Sequence, residues 1–248
     1  MRILVLCIAL AGLMACEKKL PNGEPYPDIK DFQNTPTDQF LVDIQDIDDG
    51  HPFIGATANA PHKGAHVHFD NSDSSYNNSM SPNQYPPIYA VSAGEITRVE
   101  TYYELQNPQQ THYKYDIELM IAKGGTKPVS ISYSIEPMIN PGDPDFYKPF
   151  IHVSVGDMVE KGQVIANMYL KEGYGIGAHI HFHINKDNQH MAPAIFSDAL
   201  VDSFHSRWNI FALDKDYSTG IHDSIPACMG YKVGADENPF ETGYQDRL

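Results

Sequence analysis

Apolar and polar residues alternate along much of the middle of the chain, with the period of two that a half-buried strand requires. The run VSISYSI, from Val129 to Ile135, is the cleanest case. Val129, Ile131, Tyr133 and Ile135 share one face, and the serines take the other. His112 to Ala122 alternates over part of its length. Ile88 to Val91 and Ile96 to Val99 are two short β-type runs separated by Gly94, and Gln39 to Ile47 holds a short apolar core that predicts a first strand. Ile151 to Ala166 reads as a strand, a Gly156-Asp157 turn, a short segment, a Lys161-Gly162 turn and a second strand. After a glycine-rich approach comes Ala178-His179-Ile180-His181-Phe182-His183. As a strand it points His179, His181 and His183 one way, and Ile180 and Phe182 the other.

Between these segments the pattern lapses. Asn71 to Pro87 is rich in Ser, Asn and Pro, and Asn140 to Pro149 carries three prolines and a glycine; both predict loops. Asp46 to Gly50 is acidic but lacks the spacing of a calcium loop. Ser197 is placed to cap a helix running to about Trp208, with Leu200, Val201, Phe204 and Trp208 on one face. The expected fold is mainly β: an antiparallel sheet or sandwich over residues 38–190 with long loops. A C-terminal extension, 191–248, would hold the single helix and be packed on the sheet or trail from it.

The N-terminus changes the picture of where this domain works. Arg2 and the apolar run Ile3 to Met14 predict a signal peptide over residues 1–15, too short to be a mature span. Leu13-Met14-Ala15-Cys16 resembles a bacterial lipobox, which implies a lipid on Cys16 and a place in the cell envelope at either membrane or at the surface. Residues 16–37, rich in Pro, Asn, Asp and Lys, then read as a tether. Of three cysteines, only Cys228 is left once Cys7 leaves with the signal and Cys16 is acylated, so no internal disulfide is expected. The formal charge of −15 over 248 residues argues against a nucleic-acid partner.

Chemistry concentrates in two places. On the histidine strand, alternate Cα atoms lie ~6.6 Å apart. At that spacing two imidazoles can reach one metal, or one can bind metal while its neighbour reaches a metal-bound water. A polar outer strand face is the plainer reading. About 110 residues earlier, PHKGAHVHFD holds His62, His66, His68 and Asp70 within nine residues, a donor mix that suits zinc.

Together the two clusters resemble the M23 metallopeptidases, the lysostaphin/LytM-like peptidoglycan endopeptidases, over about residues 60–186. The family's His-x-x-x-Asp motif is matched by His66-Val67-His68-Phe69-Asp70, with His68 at the usual glycine position. Its His-x-His-Phe motif is matched by His179-Ile180-His181-Phe182. Similar segments intervene at Pro87 to Ile96 and Val155 to Ala166. The resemblance implies a duplicated-hybrid-motif β fold of the LytM type. It implies Zn2+ held by His66, Asp70 and His181, with His179 handling protons at the open coordination position. It implies a substrate in the peptide cross-links of peptidoglycan. The family's second catalytic histidine stands in a Tyr-x-His-Leu context, matched here by Tyr133-Ser134-Ile135-Glu136, so Ile135 takes its place. The substitutes considered are His152 first, then His68, His183 and Glu136. The alternative role is a zinc- or wall-binding lipoprotein without turnover that recruits or regulates a partner envelope hydrolase.

Overall fold

The computed structural model describes residues 18–51, 64–69, 76–106, 111–125, 127–171, 177–187, 189–191, 193, 195–200 and 203. A short helix, α1 (Ile29–Asn34), precedes ten strands: β1 (Ile47–His51), β2 (Ala65–Phe69), β3 (Pro87–Tyr89), β4 (Gly94–Gln106), β5 (Thr111–Ala122), β6 (Val129–Glu136), β7 (Met158–Val159), β8 (Val164–Asn167), β9 (His179–Lys186) and β10 (Gln189–Met191). Eight of them form one sheet in the order β1-β2-β9-β6-β5-β4-β7, with β10 pairing the end of β9 on the same edge as β2, and β3 pairs with β8 in a second, two-stranded sheet. Every strand pair among the described residues is antiparallel. The mainly β, antiparallel class expected from the alternation is the class observed.

The topology brings β2 and β9 side by side although more than a hundred residues separate them, and β6 lies on the far side of β9. Alternation then sorts the side chains of the large sheet. Val67 on β2, Ile117 and Leu119 on β5, Ile131, Tyr133 and Ile135 on β6, and Ile180, Phe182 and Ile184 on β9 are all fully buried in one core. Each buried aliphatic side chain contributes ~1.5–3 kcal/mol relative to exposure, so this face fixes the register of all four strands. The Tyr133 hydroxyl accepts a hydrogen bond from the Val91 backbone N–H at 3.0 Å, which satisfies the one polar atom that strand sends into the core. The opposite face carries the histidines, together with Ser130, Ser132, Ser134 and Glu136.

Two expectations about the first part of the chain change. Gln39 to Ile47 is not a strand: its first residues are irregular, Ile44–Asp46 form a 3-10 turn, and β1 starts at Ile47. Phe40, Leu41 and Val42 are nevertheless buried, because this segment crosses the core and joins it through one backbone bond, Tyr89 N–H to Leu41 O. Apolar content reported burial there, not hydrogen-bonding geometry. The described part of the expected tether, 18–37, also packs on the sheet. Tyr26 and Phe32 are buried, Lys18 pairs with the buried Glu95, and Lys123 N–H donates to Pro27 O. Two aromatic anchors are enough to dock a segment that shows no apolar period.

At the other end, Ile195 and Phe196 join the core, and Phe196 meets Phe40 edge-on at 5.0 Å. Ser197 acts as expected: its hydroxyl accepts from Leu200 N–H at 3.3 Å and residues 198–200 are helical. Ser203 is helical too; the other residues of that helix, the signal peptide, Cys16 and Cys228 lie outside the described residues. No helix among the described residues is long and apolar enough to cross a membrane.

Candidate metal centre

In the β2–β9 pair, His66 stands opposite His181 and His68 opposite His179. Directly paired residues share a face, so the register gathers four imidazoles on the polar side of the sheet. His66 Nε2 and His181 Nδ1 are 3.0 Å apart. The His66 ring stacks on His179 with centroids 4.6 Å apart, and His68 meets His179 edge-on at 5.0 Å. The half-buried His181 ring lies directly over Gly64, where a Cβ would come within 1.9 Å of Nε2. A Cβ here would have to displace the His181 ring; no turn demands glycine, since residue 64 has no left-handed φ.

The β6 side of the site differs from the sequence expectation. Glu136 is paired with His179, and Ile135 with Ile180. Ile135 is therefore turned into the core and is fully buried. Whatever residue stood at 135 would point away from the imidazoles. The β6 residue opposite His179 on the histidine face is Glu136. Its Oε2 accepts a hydrogen bond from His112 Nε2 at 3.2 Å and lies 3.5 Å from His179 Nε2. Sequence reading passes over His112, because HYKYDIELMIA has no ligand spacing. Only parity could have found it: residues 112, 114 and 116 share a face opposite Tyr113, Tyr115 and Ile117.

The electrostatics follow from burial. His179 is buried, which pushes its pKa down to about 4 even though the Glu136 charge opposes the shift. Its Nδ1 donates to the Gly177 carbonyl at 2.6 Å, which assigns the proton of the neutral ring to Nδ1 and leaves the Nε2 lone pair available. For Glu136, burial acts upward, but the hydrogen bond from His112 and the nearby His179, His112 and Lys114 outweigh it, so its carboxyl is held below the usual value.

The other sequence candidates fall elsewhere. His152 hydrogen-bonds the side-chain carbonyl of Asn167, next to the β3–β8 sheet, and so is already partnered away from the histidine face. His183 lies on the correct face but stacks on His190 at 4.0 Å and meets His181 only edge-on at 5.5 Å; burial pushes its pKa down to about 3. Ser134, opposite His181, donates to Asp116 at 2.6 Å, and Asp116 also pairs with Arg98 and Lys114. Asp70 and His62 lie outside the described residues. So do residues 71–75 of the expected loop; the rest of it carries a capped 3-10 turn at Pro82–Gln84, with Tyr85 buried behind it.

Whether these residues suit zinc can be judged on the His66–His181 pair. Two nitrogens bound tetrahedrally at ~2.0–2.1 Å lie ~3.3 Å apart, and the observed 3.0 Å is close to that. Imidazole is a zinc ligand, and two rings brought nitrogen to nitrogen from different strands fit a shared ion. Among the described residues no group of three His, Cys, Asp or Glu is close enough to complete a site. The described residues thus bring together two candidate donor nitrogens, His66 Nε2 and His181 Nδ1.

No protein-family model and no curated protein matches the sequence. Solved structures do resemble the fold, and 13 chains match. One is a mutant catalytic domain of the prophage-encoded M23 protein EnpA from Enterococcus faecalis, at 14% identity and TM-score 0.33, covering 57% of this chain and 82% of that one. Another is a zinc-containing peptidase from Vibrio cholerae, at 15% identity and TM-score 0.36, covering 63% of this chain and 38% of that one. A third is LytU, at 19% identity and TM-score 0.30, covering 56% and 74%.

Proposed function

We propose that the chain is a zinc-dependent hydrolase of the M23 peptidase kind, anchored in a bacterial envelope by a lipid on Cys16 and acting on peptide cross-links of peptidoglycan. The observation that carries this reading is the approach of His66 and His181 to 3.0 Å, with His179 stacked beside them. These are the histidines that the two sequence motifs single out, and nothing but the fold brings them together.

In this reading His66 and His181 hold the ion, and Asp70, directly after β2, is the third ligand. Bound there, zinc supplies Lewis-acid polarisation of a carbonyl and lowers the pKa of water. The remaining work belongs to the protein. His179, neutral at pH 7 and fixed by Gly177 O, presents Nε2 as a proton acceptor. The core behind β9 holds its backbone rigid, so the ring's position depends on few soft torsions.

One observation favours a second reading, a zinc- or wall-binding lipoprotein that recruits or regulates another hydrolase. β6 presents a carboxylate, Glu136, and no imidazole to His179. Incubating purified sacculi with the wild type and with His179→Ala separates the two. Muropeptide release by the wild type alone supports the peptidase; release by neither, with zinc bound to both, supports the second reading; equal release by both above a blank rejects the role of His179.

A further inference from the structure

His179 Nε2 and Glu136 Oε2 face each other at 3.5 Å. In the neutral ring the proton sits on Nδ1, directed at Gly177 O, so both facing atoms are then acceptors and no hydrogen bond joins them directly. Two acceptors at that separation converge on one point, and a single water there can donate one O–H to each. Glu136 reaches this position because its Oε2 is held by His112 Nε2 at 3.2 Å.

The cost of this arrangement suggests that it is more than packing. Glu136, His179 and His112 are 8%, 8% and 5% exposed, so three ionisable side chains are buried in a row. Among the described residues, His112 Nδ1 is buried without a hydrogen-bond partner, an expensive state for a group that serves only stability. Two residues beyond Glu136, Met138 has a φ of 53°, a left-handed conformation uncommon for such a side chain. Strained backbone of this kind collects at functional sites.

We propose, on the peptidase reading above, that Glu136 supplies the β6 side of the centre. Glu136 and His179 form a two-acceptor fork that orients the attacking water, and His112 is the positioning residue that holds Glu136 in the fork. A carboxylate held by a histidine on the adjacent strand thereby takes the place of the histidine that the family resemblance leads one to expect in this strand.

The test uses the full chain carrying His112→Ala, His112→Gln, Glu136→Gln or Glu136→Ala, with two readouts. The first is the imidazole 15N resonances of His179 in the zinc-free protein. The fork predicts that His179 Nε2 shifts beyond its linewidth in His112→Ala and in both Glu136 variants. It predicts a smaller shift in His112→Gln, whose amide can still donate to the carboxylate. The second is muropeptide release. His112→Ala is expected to lower kcat about 10–100-fold, the range for residues that orient an active group, with KM and zinc content unchanged, and His112→Gln to recover most of the loss. An unmoved His179 resonance in His112→Ala overturns the proposal. So does a kcat loss that follows a fall in thermal stability and is not recovered by His112→Gln. If the wild type releases no muropeptides, the peptidase reading fails, and the resonances still decide whether residue 112 acts on residue 179 through Glu136.

Discussion

Replacing Gly64 by alanine places one methyl group against the His181 ring. The added Cβ would stand 1.9 Å from Nε2, 2.2 Å from Cε1 and 2.5 Å from Cδ2, whereas ordinary contact begins at 3.4 Å. The ring must therefore retreat by about 1.5 Å, or swing to another rotamer. Zinc bonds to nitrogen tolerate about 0.2 Å of error, so a displacement several times larger removes His181 from the ligand set. Repositioning a supporting group near a metal costs about 10–100-fold in affinity; loss of a ligand should reach at least the upper end, about 2.7 kcal/mol. The backbone at 64 accepts alanine without strain, and β2 begins only at Ala65, so the zinc-free protein should unfold at nearly the same temperature as the wild type. The assay is zinc affinity by competition with a chelator, run on Gly64→Ala, His181→Ala and the double variant. Because alanine acts only through the ring, the double variant should bind no more weakly than His181→Ala. Zinc affinity within about threefold of wild type in Gly64→Ala would refute the placement of His181 at the metal; ordinary ligand-loss effects are far larger.

Further predictions rest on other parts of the structure. Ile135→His should not restore a catalytic histidine; it loses isoleucine burial and places a polar ring in the core, a cost of ~3–6 kcal/mol. Glu136→His, on the polar face, should keep the fold, so urea midpoints that fall equally in both variants would contradict the assigned faces. His152→Ala should cost about 1 kcal/mol, the net worth of its bond to the Asn167 side chain, and leave zinc content and any muropeptide release intact; loss of either at wild-type stability would return His152 to the site. The pKa of Tyr26 is raised to about 12 by burial and then by Glu95, and that of Tyr89 to about 12 by burial and then by its bond to Asp43; burial also raises the buried Tyr133 and Tyr147. Each is neutral in both states below pH 10, ionises first in the unfolded chain above it, and so loses stability as pH rises from about 10 toward 12. A melting temperature that does not fall between pH 9 and pH 11.5 would contradict that.

Much of this was legible in the chain because a strand writes its two faces in alternating letters. Val129, Ile131, Tyr133 and Ile135 announced a core face, and His179, His181 and His183 a polar one, and both stand where alternation put them. That same alternation already placed Ile135 out of reach of the histidines; matching positions by motif alone concealed it, and Glu136, one residue on, is the side chain with access. His112 was invisible because its significance arises from a neighbour 24 residues away across a strand pair. Tyr26, Phe32 and Phe40 to Val42 were misjudged for a related reason: single anchors and irregular segments bury apolar groups without any period. The motif resemblance already set His181 apart from His183, although parity gives them one face; the register supplies the physical reason, setting His66 against the first and leaving the second to His190.

On the proposed reading, His66 and His181, from strands far apart in sequence, hold one zinc ion. Metal content of the purified chain after exhaustive dialysis against a weak chelator, measured for the wild type, His66→Ala and His181→Ala, tests it most directly. About one equivalent of zinc per chain is expected in the wild type, as three protein ligands would secure, and a substoichiometric amount in each variant. A wild type that retains no zinc, or variants that retain as much as the wild type, would contradict it.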